Sequence, residues 1–203
     1  MKIYDKDIRK LLFQEFTKKD EFISDPSTVV VDELDVWSGV ARIDIVVING
    51  KMHGYEIKSE RDNLERLPYQ AEYYSSVFDT VTLVSSEKHL NKVEQIIPDW
   101  WGILCVNKDG GKPSVKLVRP SKQNKSIDSF RLAQMLWKDE LLELLSLAGV
   151  TKGVKSKTRH ELEIKVAELI DPEDISNFVR EKLKSRKSWR ARPLKQLCDD
   201  LLQ

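Results

Sequence analysis

Two apolar strands joined by an Asn-Gly turn occupy residues 41–59, and each strand carries charged residues among its hydrophobic ones. The Asn49-Gly50 pair between two β-branched runs strongly indicates a hairpin. Asp44 lies in the first strand, and Glu56 and Lys58 lie in the second. A charge in a strand whose other face is apolar is costly to bury unless it is paired, binds a metal or faces a cleft. This hairpin therefore predicts both a sheet and a candidate chemical site.

The register of the hairpin decides whether its charges share a face. Glu56 and Lys58 are two positions apart, so both side chains project from the same face of their strand. A strict two-residue turn would place Asp44 opposite Tyr55 and leave it on the other face. One extra loop residue, or a bulge in one strand, would instead pair Asp44 with Glu56. We predict such an irregularity as a condition of the site.

The rest of the first half of the chain alternates between helical and strand patterns. Apolar residues at helical spacing predict a first helix over residues 8–16, and a β-branched run predicts a first strand over 28–37. After the hairpin we expect a helix at 67–78, a strand at 80–85, a helix at 88–97 and strands at 102–106 and 115–118. This order predicts an α/β fold with a mixed β-sheet flanked by helices.

A polar stretch at residues 119–126 suggests a linker, so we divide the chain into a core, 1–120, and a C-terminal helical extension, 121–203. Helices are expected at about 132–148, 156–170 and 172–186. The segment from Arg180 to Lys195 contains eight basic residues and one acidic residue, so its net charge is about +7. This basic segment is either a polyanion-binding surface or a solvated helix end, and the sequence leaves both open.

Composition excludes several classes of protein. The chain has 203 residues, of which 40% are hydrophobic and 33% charged, and a net charge of +1. No apolar run approaches the roughly 20 residues that a membrane helix needs, and no export signal is visible. We expect a soluble, cytoplasmic protein that does not contact membranes. The cysteines and histidines are scattered, so they form no zinc motif.

Two carboxylates and an ammonium on one face suit metal-assisted attack of water on a phosphodiester. Carboxylate oxygens are the hard ligands that Mg²⁺ selects, so we expect Asp44 and Glu56 to bind Mg²⁺, with Mn²⁺ as a substitute. The bound ion would lower the pKa of a coordinated water. Lys58 would orient that water or stabilise the transition state.

These residues resemble the PD-(D/E)XK superfamily of restriction-endonuclease-like nucleases. The core of that superfamily is α-β-β-β-α-β, with Asp on the second strand and Glu-x-Lys on the third; here the matching residues are Asp44 and Glu56-Ile57-Lys58. The next helix carries Gln70 and Tyr74, which resemble the Gln-x-x-x-Tyr motif of RecB-type members. The proline of the family name is replaced by Ile43. The whole chain also resembles a bacterial and phage branch of this superfamily.

The resemblance implies a Mg²⁺-dependent nuclease that acts on DNA. It implies that the Ile57 carbonyl completes the metal shell beside Asp44 and Glu56. Family members often add an acid from the first helix or first strand. We choose Glu33 for that position, with Glu15 as the alternative.

The resemblance also implies contacts to the substrate. Gln70 would approach the metal or a nearby phosphate and act with the catalytic residues, and Tyr74 would line the nucleic-acid channel. Arg42 shares the face of Asp44, where it would contact phosphate or form a salt bridge to Glu33. Many relatives dimerise to cut two strands, so the resemblance is compatible with a homodimer, and the sequence leaves the oligomeric state open.

Two other functions remain open at this stage. The first is a nuclease fold without turnover that binds nucleic acid or protein, within a phage–host conflict system. The second is a small interaction protein in which Lys58 merely pairs with Glu56 or Asp44.

Overall fold

The computed structural model describes residues 4–37, 39–109, 112–186 and 191–201. Its strands are β1 (Val29–Asp35), β2 (Arg42–Ile48), β3 (Met52–Lys58), β4 (Thr80–Ser86), β5 (Gly102–Asp109), β6 (Lys112–Arg119) and β7 (Ala191–Pro193). Its helices are α1 (Asp5–Phe16), α2 (Asp20–Ile23), α3 (Leu67–Ser75), α4 (Leu90–Ile96), α5 (Ser129–Ala133), α6 (Lys138–Leu147), α7 (Arg159–Leu169), α8 (Pro172–Ser185) and α9 (Leu194–Leu201). The predicted α/β class is confirmed.

All seven strands form one mixed sheet in the order β6-β5-β4-β3-β2-β1-β7. β1, β2 and β3 are antiparallel neighbours, whereas β3, β4 and β5 are parallel. The parallel pairs are joined by crossovers through α3 and α4, as parallel pairing requires. β7 pairs with the edge strand β1. The C-terminal part is mainly helical, as predicted, and its short strand β7 also completes the sheet.

The hairpin between β2 and β3 has the irregularity that its site requires. Ile48 pairs with Met52, so the loop contains three residues, 49–51. The Asn49 side chain accepts a hydrogen bond from the Lys51 amide at 2.8 Å, which holds the loop in this shape. The ladder extends from this pair to Ile45 and Tyr55, and one further step along it leads to residues 44 and 56. The extra loop residue that the site requires is therefore present, and the pairing of Asp44 with Glu56 stays a prediction.

Helices cover both faces of the sheet and leave a buried apolar layer on each side. On one face the strands pack against α3, α4 and the helices from α5 to α8. On the other they pack against α1, α2 and α9. Each strand of the hairpin therefore has two buried faces, and this explains why β2 and β3 read as nearly continuous apolar runs. None of the described helices is long and apolar enough to cross a membrane.

The polar stretch expected to be a linker is fixed to the core through Asn124. The amide of its side chain donates to the carbonyls of Ser75 at 2.8 Å and Phe78 at 2.9 Å. Its backbone N–H donates to the Asp79 carbonyl at 2.8 Å. Apolar side chains from both parts of the chain join in one cluster. The division at residue 120 stays a prediction, but the two parts share their interior.

The basic segment is largely engaged in ion pairs within the chain. Arg180 lies 3.7 Å from Asp79, and the guanidinium of Arg186 makes short hydrogen bonds to Glu140. Three further basic residues of the segment form ion pairs: Lys182 with Glu143, Lys184 with Asp25, and Arg192 with Asp32. Lys187 and Arg190 lie outside the described residues. The pairs with Asp79, Asp25 and Asp32 attach the C-terminal part to the core, and the pairs with Glu140 and Glu143 join helices within that part. Neither interpretation of the segment anticipated this.

The extension also differs in detail from its predicted helices. The expected helix at 132–148 is divided into α5 and α6. The break lies at Trp137, whose backbone is extended and whose N–H donates to the Glu140 carboxylate at 2.7 Å. A carboxylate that accepts from a helix start favours a new N-terminus over continuation of the helix.

Gly54 in β3 predicts a measurable packing constraint beside the site. A Cβ atom at this position would lie 2.6 Å from the Ile43 Cδ1 and 3.2 Å from the Phe78 ring. Overpacking of a closed core costs about 1–3 kcal/mol, so Gly54→Ala should lower the free energy of unfolding by that amount in urea titrations. Gly50→Ala is the matched control because its Cβ would meet nothing within 4 Å. Equal effects of the two substitutions would contradict this packing.

Candidate active site

A cleft of about 780 Å³ lies at the end of the hairpin, where β2 and β3 meet α1 and α3. Its lining contains most of the residues that the sequence singled out: Glu33, Arg42, Asp44, Glu56, Ile57, Lys58 and Gln70. Basic side chains that no motif marked also line it: Arg9, Arg61 and Arg66. The cleft thus combines carboxylates with guanidinium groups.

Glu56, Lys58 and Gln70 form a buried network on the α3 face of the sheet. The Lys58 ammonium donates to Glu56 Oε1 at 2.8 Å and to Gln70 Oε1 at 2.9 Å. The Gln70 amide donates to the same Glu56 oxygen at 2.7 Å. Strand alternation places the two charged residues on one face, and Gln70 reaches them from the buried side of α3. The three side chains therefore fix one another's positions.

Tyr74 contacts this network from the buried core and does not line the cleft. Its side chain is fully buried, with the ring against Phe78 and Trp101. Its hydroxyl lies 3.0 Å from Glu56 Oε2 and 2.8 Å from the Arg42 carbonyl, and it accepts from Gln70 at 3.2 Å. The predicted contact between Tyr74 and nucleic acid is therefore wrong, because a ring without exposed surface cannot touch a substrate. Burial raises the pKa of Tyr74, and the charge of Glu56 raises it further, so the hydroxyl keeps its proton.

Asp44 carries the most perturbed carboxylate of the cleft. Its Oδ2 accepts a hydrogen bond from the Ile57 amide at 2.7 Å. Burial raises the pKa of Asp44 to about 7, and the negative charge of Glu56 adds to the rise. The Ile57 hydrogen bond and the positive charge of Arg9 offset this only in part. Two neighbouring carboxylates that resist ionising together favour the approach of a cation.

The Ile57 backbone connects the two carboxylate positions. Its N–H points towards β2, because it donates to Asp44. In an extended strand the N–H and carbonyl of one residue point to the same side, so the Ile57 carbonyl also faces the side of Asp44. The backbone oxygen assigned by resemblance is thus oriented towards the first carboxylate.

Glu33 and Arg42 lie at the rim of the cleft and form an ion pair. The Arg42 guanidinium is 3.4 Å from Glu33 Oε2, so the salt-bridge alternative for Arg42 is confirmed. The Arg42 side chain remains 53% exposed and can still meet a phosphate. Glu33 has a φ of 53°, which turns its side chain out of the regular alternation of β1. Glu15 pairs with Lys18 and is absent from the cleft lining, so that alternative acid is wrong.

Arg9 is the cleft residue missed by sequence reasoning that contacts Asp44 directly. It reaches from α1 and donates to the Asp44 carbonyl at 3.0 Å and to the Asp44 carboxylate at 3.4 Å. Asp5 and Asp32 accept from the same guanidinium. Its position in an amphipathic helix resembles that of any solvated arginine, so no sequence signal marked it.

The donor atoms present fit a magnesium ion that keeps several waters. No three His, Cys, Asp or Glu side chains converge on a metal position within the part of the chain that the structure describes. Asp44, Glu56 and the Ile57 carbonyl are the oxygen donors that neighbour one another at the cleft. Mg²⁺ is usually held by only one or two carboxylates and retains water in its other positions. The cleft has room for those waters.

Comparison with known proteins identifies the family of the chain. The family profile described as Bacteriophage P4 protein cII matches residues 3–197. Protein cII of Enterobacteria phage P4 is 27% identical over 177 residues, covering 87% of this chain and 66% of that protein. The chain thus spans slightly under two thirds of the length of this relative.

One solved structure is also similar to this chain. SPO1766, a protein of unknown function from Silicibacter pomeroyi, shares 18% identity and a TM-score of 0.37 over 64% of this chain and 86% of that one. A likeness at this TM-score says nothing further about the fold or the function of the chain.

Proposed function

This chain belongs to the family of bacteriophage P4 protein cII, and we propose that it is a metal-dependent nuclease that hydrolyses phosphodiester bonds in DNA. One observation carries the proposal. Asp44, which accepts a hydrogen bond from the Ile57 amide, lines the same cleft as Glu56 and Lys58, and arginines line this cleft as well. The proposal places the activity in the cytoplasm, where phage DNA is exposed.

Each residue of the cleft has a distinct role in this proposal. Asp44, Glu56 and the Ile57 carbonyl would hold Mg²⁺, which supplies a coordinated water of lowered pKa and neutralises charge on the phosphate. Lys58 holds Glu56 in place and offers a proton donor to the attacked phosphate. Gln70 and Tyr74 keep Glu56 from turning away.

Phosphate recognition rests on the guanidinium groups at the rim. Arg61 and Arg66 are exposed, and neither pairs with an acid among the residues that the structure describes. Arg42 shares its charge with Glu33 and faces solvent. Exposed guanidinium groups beside a carboxylate pair attract a polyanion to a site that would otherwise repel it. Cutting both strands of a duplex would require two such clefts and hence a homodimer, whereas one cleft suffices for a single strand.

One observation favours a second function, a nuclease fold that binds nucleic acid or protein without turnover. Glu56 already accepts hydrogen bonds from Lys58 and Gln70 on one oxygen and lies 3.0 Å from the Tyr74 hydroxyl on the other. A carboxylate so fully engaged can be a structural partner of Lys58. This alternative predicts DNA binding that ignores metal and survives loss of the Glu56 charge.

Cleavage assays on labelled single- and double-stranded DNA distinguish the two functions. With Mg²⁺ or Mn²⁺ the wild-type chain should cut DNA, and EDTA should stop it. Glu56→Gln keeps the side-chain shape and removes the charge, so cleavage should fall by at least about a hundredfold. Glu163→Gln is the matched control, because Glu163 is also buried and ion-paired but lies in α7.

The control should cut DNA at the wild-type rate. Cleavage that persists in EDTA, or that Glu56→Gln leaves unchanged, would contradict the proposed nuclease. Binding without cleavage under all metal conditions would favour the second function.

A further inference from the structure

A second, smaller pocket of about 220 Å³ adjoins the cleft. Arg66 and Gln70 line both cavities, so the two lie next to each other at the start of α3. The remaining walls of the small pocket are apolar or aromatic: Val40, Ala41, Tyr69 and Tyr73. A ligand that extends from the cleft past Arg66 would therefore contact this aromatic surface with its next group.

The two aromatic walls of the small pocket differ in exposure. Tyr69 is 67% exposed on α3. Tyr73 is fixed at the back, because its ring packs 4.8 Å from Trp37 and the Arg131 guanidinium covers Trp37 at 4.5 Å. The Tyr73 ring is thus held in place, and the Tyr69 ring is open to solvent. Two aromatic side chains beside one pocket suit a planar ligand that stacks on them.

The charge around the small pocket indicates which planar ligand fits. Arg66 stands at the junction of the two cavities, and Arg61 lines the cleft on the way to it. Neither arginine pairs with an acid among the described residues, so both can receive phosphate. A chain of alternating phosphates and planar bases matches guanidinium groups followed by an aromatic pocket.

We propose that this pocket binds one nucleobase of a single DNA strand whose scissile phosphate lies in the adjoining cleft. The inference rests on the proposed nuclease function and specifies its substrate as single-stranded. In a duplex both faces of a base are stacked on its neighbours, so a base reaches such a pocket only from a single strand or after it is flipped out. Stacking is independent of base identity, so the pocket selects strandedness and not sequence.

Fluorescence anisotropy with a labelled oligodeoxythymidine of about 15 nucleotides tests the pocket. Binding is measured in EDTA, so that cleavage does not enter the result. Tyr69→Ala should weaken binding of this strand by roughly tenfold, since loss of one base–aromatic stack typically costs that much. Tyr69→Phe should bind like wild type, because it keeps the ring. Leu147→Ala is the control, since Leu147 is similarly exposed on α6, away from the cavity.

Abasic oligonucleotides make the test specific to a base. One abasic position should weaken binding by the wild-type chain and have no further effect on Tyr69→Ala, because both changes remove the same stack. Equal binding of single strand and duplex, or equal losses in the two proteins, would overturn the inference. So would Tyr69→Ala with unchanged binding, which would leave the pocket to a protein partner.

The outcomes separate this inference from the proposed nuclease. Tyr69-dependent binding of the single strand without any cleavage would support the pocket and contradict the enzyme. Cleavage that requires Glu56 but is unaffected by Tyr69→Ala, at saturating and at limiting DNA, would support the enzyme and overturn the pocket.

Discussion

Replacing Lys58 with methionine should slow DNA cleavage by roughly two to three orders of magnitude. Methionine keeps the length of the side chain and removes the ammonium that lies 2.8 Å from Glu56 Oε1 and 2.9 Å from Gln70 Oε1. A positioned donor that stabilises developing charge is worth about that factor in a site screened from water. Single-turnover cleavage at saturating Mg²⁺ measures it.

The same substitution should lower the free energy of unfolding by about 3 kcal/mol. Glu56 is 2% exposed, and its charge would lose its cation. Gln70 still donates to Glu56, and this holds the loss at the lower end of the range for broken buried pairs. Lys182→Met is the control: its pair with the half-exposed Glu143 should contribute under about 1 kcal/mol. A Lys58→Met protein that cuts DNA within threefold of the wild-type rate would contradict the assigned role.

Asp44→Asn should have opposite effects on activity and on stability. It removes a carboxylate whose pKa is raised from 3.8 to about 7 by burial and by Glu56, so cleavage should fall below detection. The ionised form of Asp44 is disfavoured in the folded state, and its removal should raise the free energy of unfolding at pH 8 by about 2–4 kcal/mol. Urea titrations of both proteins across the pH range measure this difference.

The sign of the pH dependence follows from the direction of the shift. Below about pH 4 the carboxyl is protonated in both folded and unfolded chains, so Asp44 has no effect on stability. Between about pH 4 and pH 7 the unfolded chain ionises and the folded chain stays protonated, so the wild type loses stability as pH rises. Above about pH 7 the loss is constant. The advantage of Asp44→Asn should therefore appear across this window and level off above it.

Asp25→Asn provides a control of opposite sign. Hydrogen bonds from Ser27 lower the pKa of Asp25, so its ionised form stabilises the folded chain. Its replacement should lower stability at neutral pH, and the difference should vanish as pH falls through the lowered pKa.

Added Mg²⁺ should raise the melting temperature of wild type at pH 8 but not that of Asp44→Asn. Equal stability of wild type and Asp44→Asn at every pH would contradict the perturbed carboxylate.

Much of the site follows from local sequence rules. The alternation of β3 fixes Glu56 and Lys58 on one face, and helical spacing fixes Gln70 and Tyr74 on one face of α3. A register that brings Asp44 close to Glu56 then requires a loop longer than two residues, and the structure has a three-residue loop. These relations depend on residues near one another in the chain, so the sequence alone carries them.

The contacts that sequence reasoning missed are long-range. Arg9 reaches Asp44 across 35 positions, and Arg192 reaches Asp32 across 160. β7 has only three residues and forms because β1 offers it an edge, which no local pattern encodes. The burial of Tyr74 depends on Trp101, which directly precedes β5 in the chain and stacks against the Tyr74 ring. Tertiary packing decides such features, and local propensity does not.

A Mn²⁺-soaked crystal examined by anomalous scattering is the most direct test of the proposed metal site. We expect a peak between the Asp44 and Glu56 carboxylates, within coordination distance of the Ile57 carbonyl, with Lys58 beside it. The peak should be absent from Asp44→Asn crystals soaked in the same way. A wild-type crystal without that peak, in which Lys58 still donates to Glu56 and Gln70, would contradict the metal-dependent nuclease.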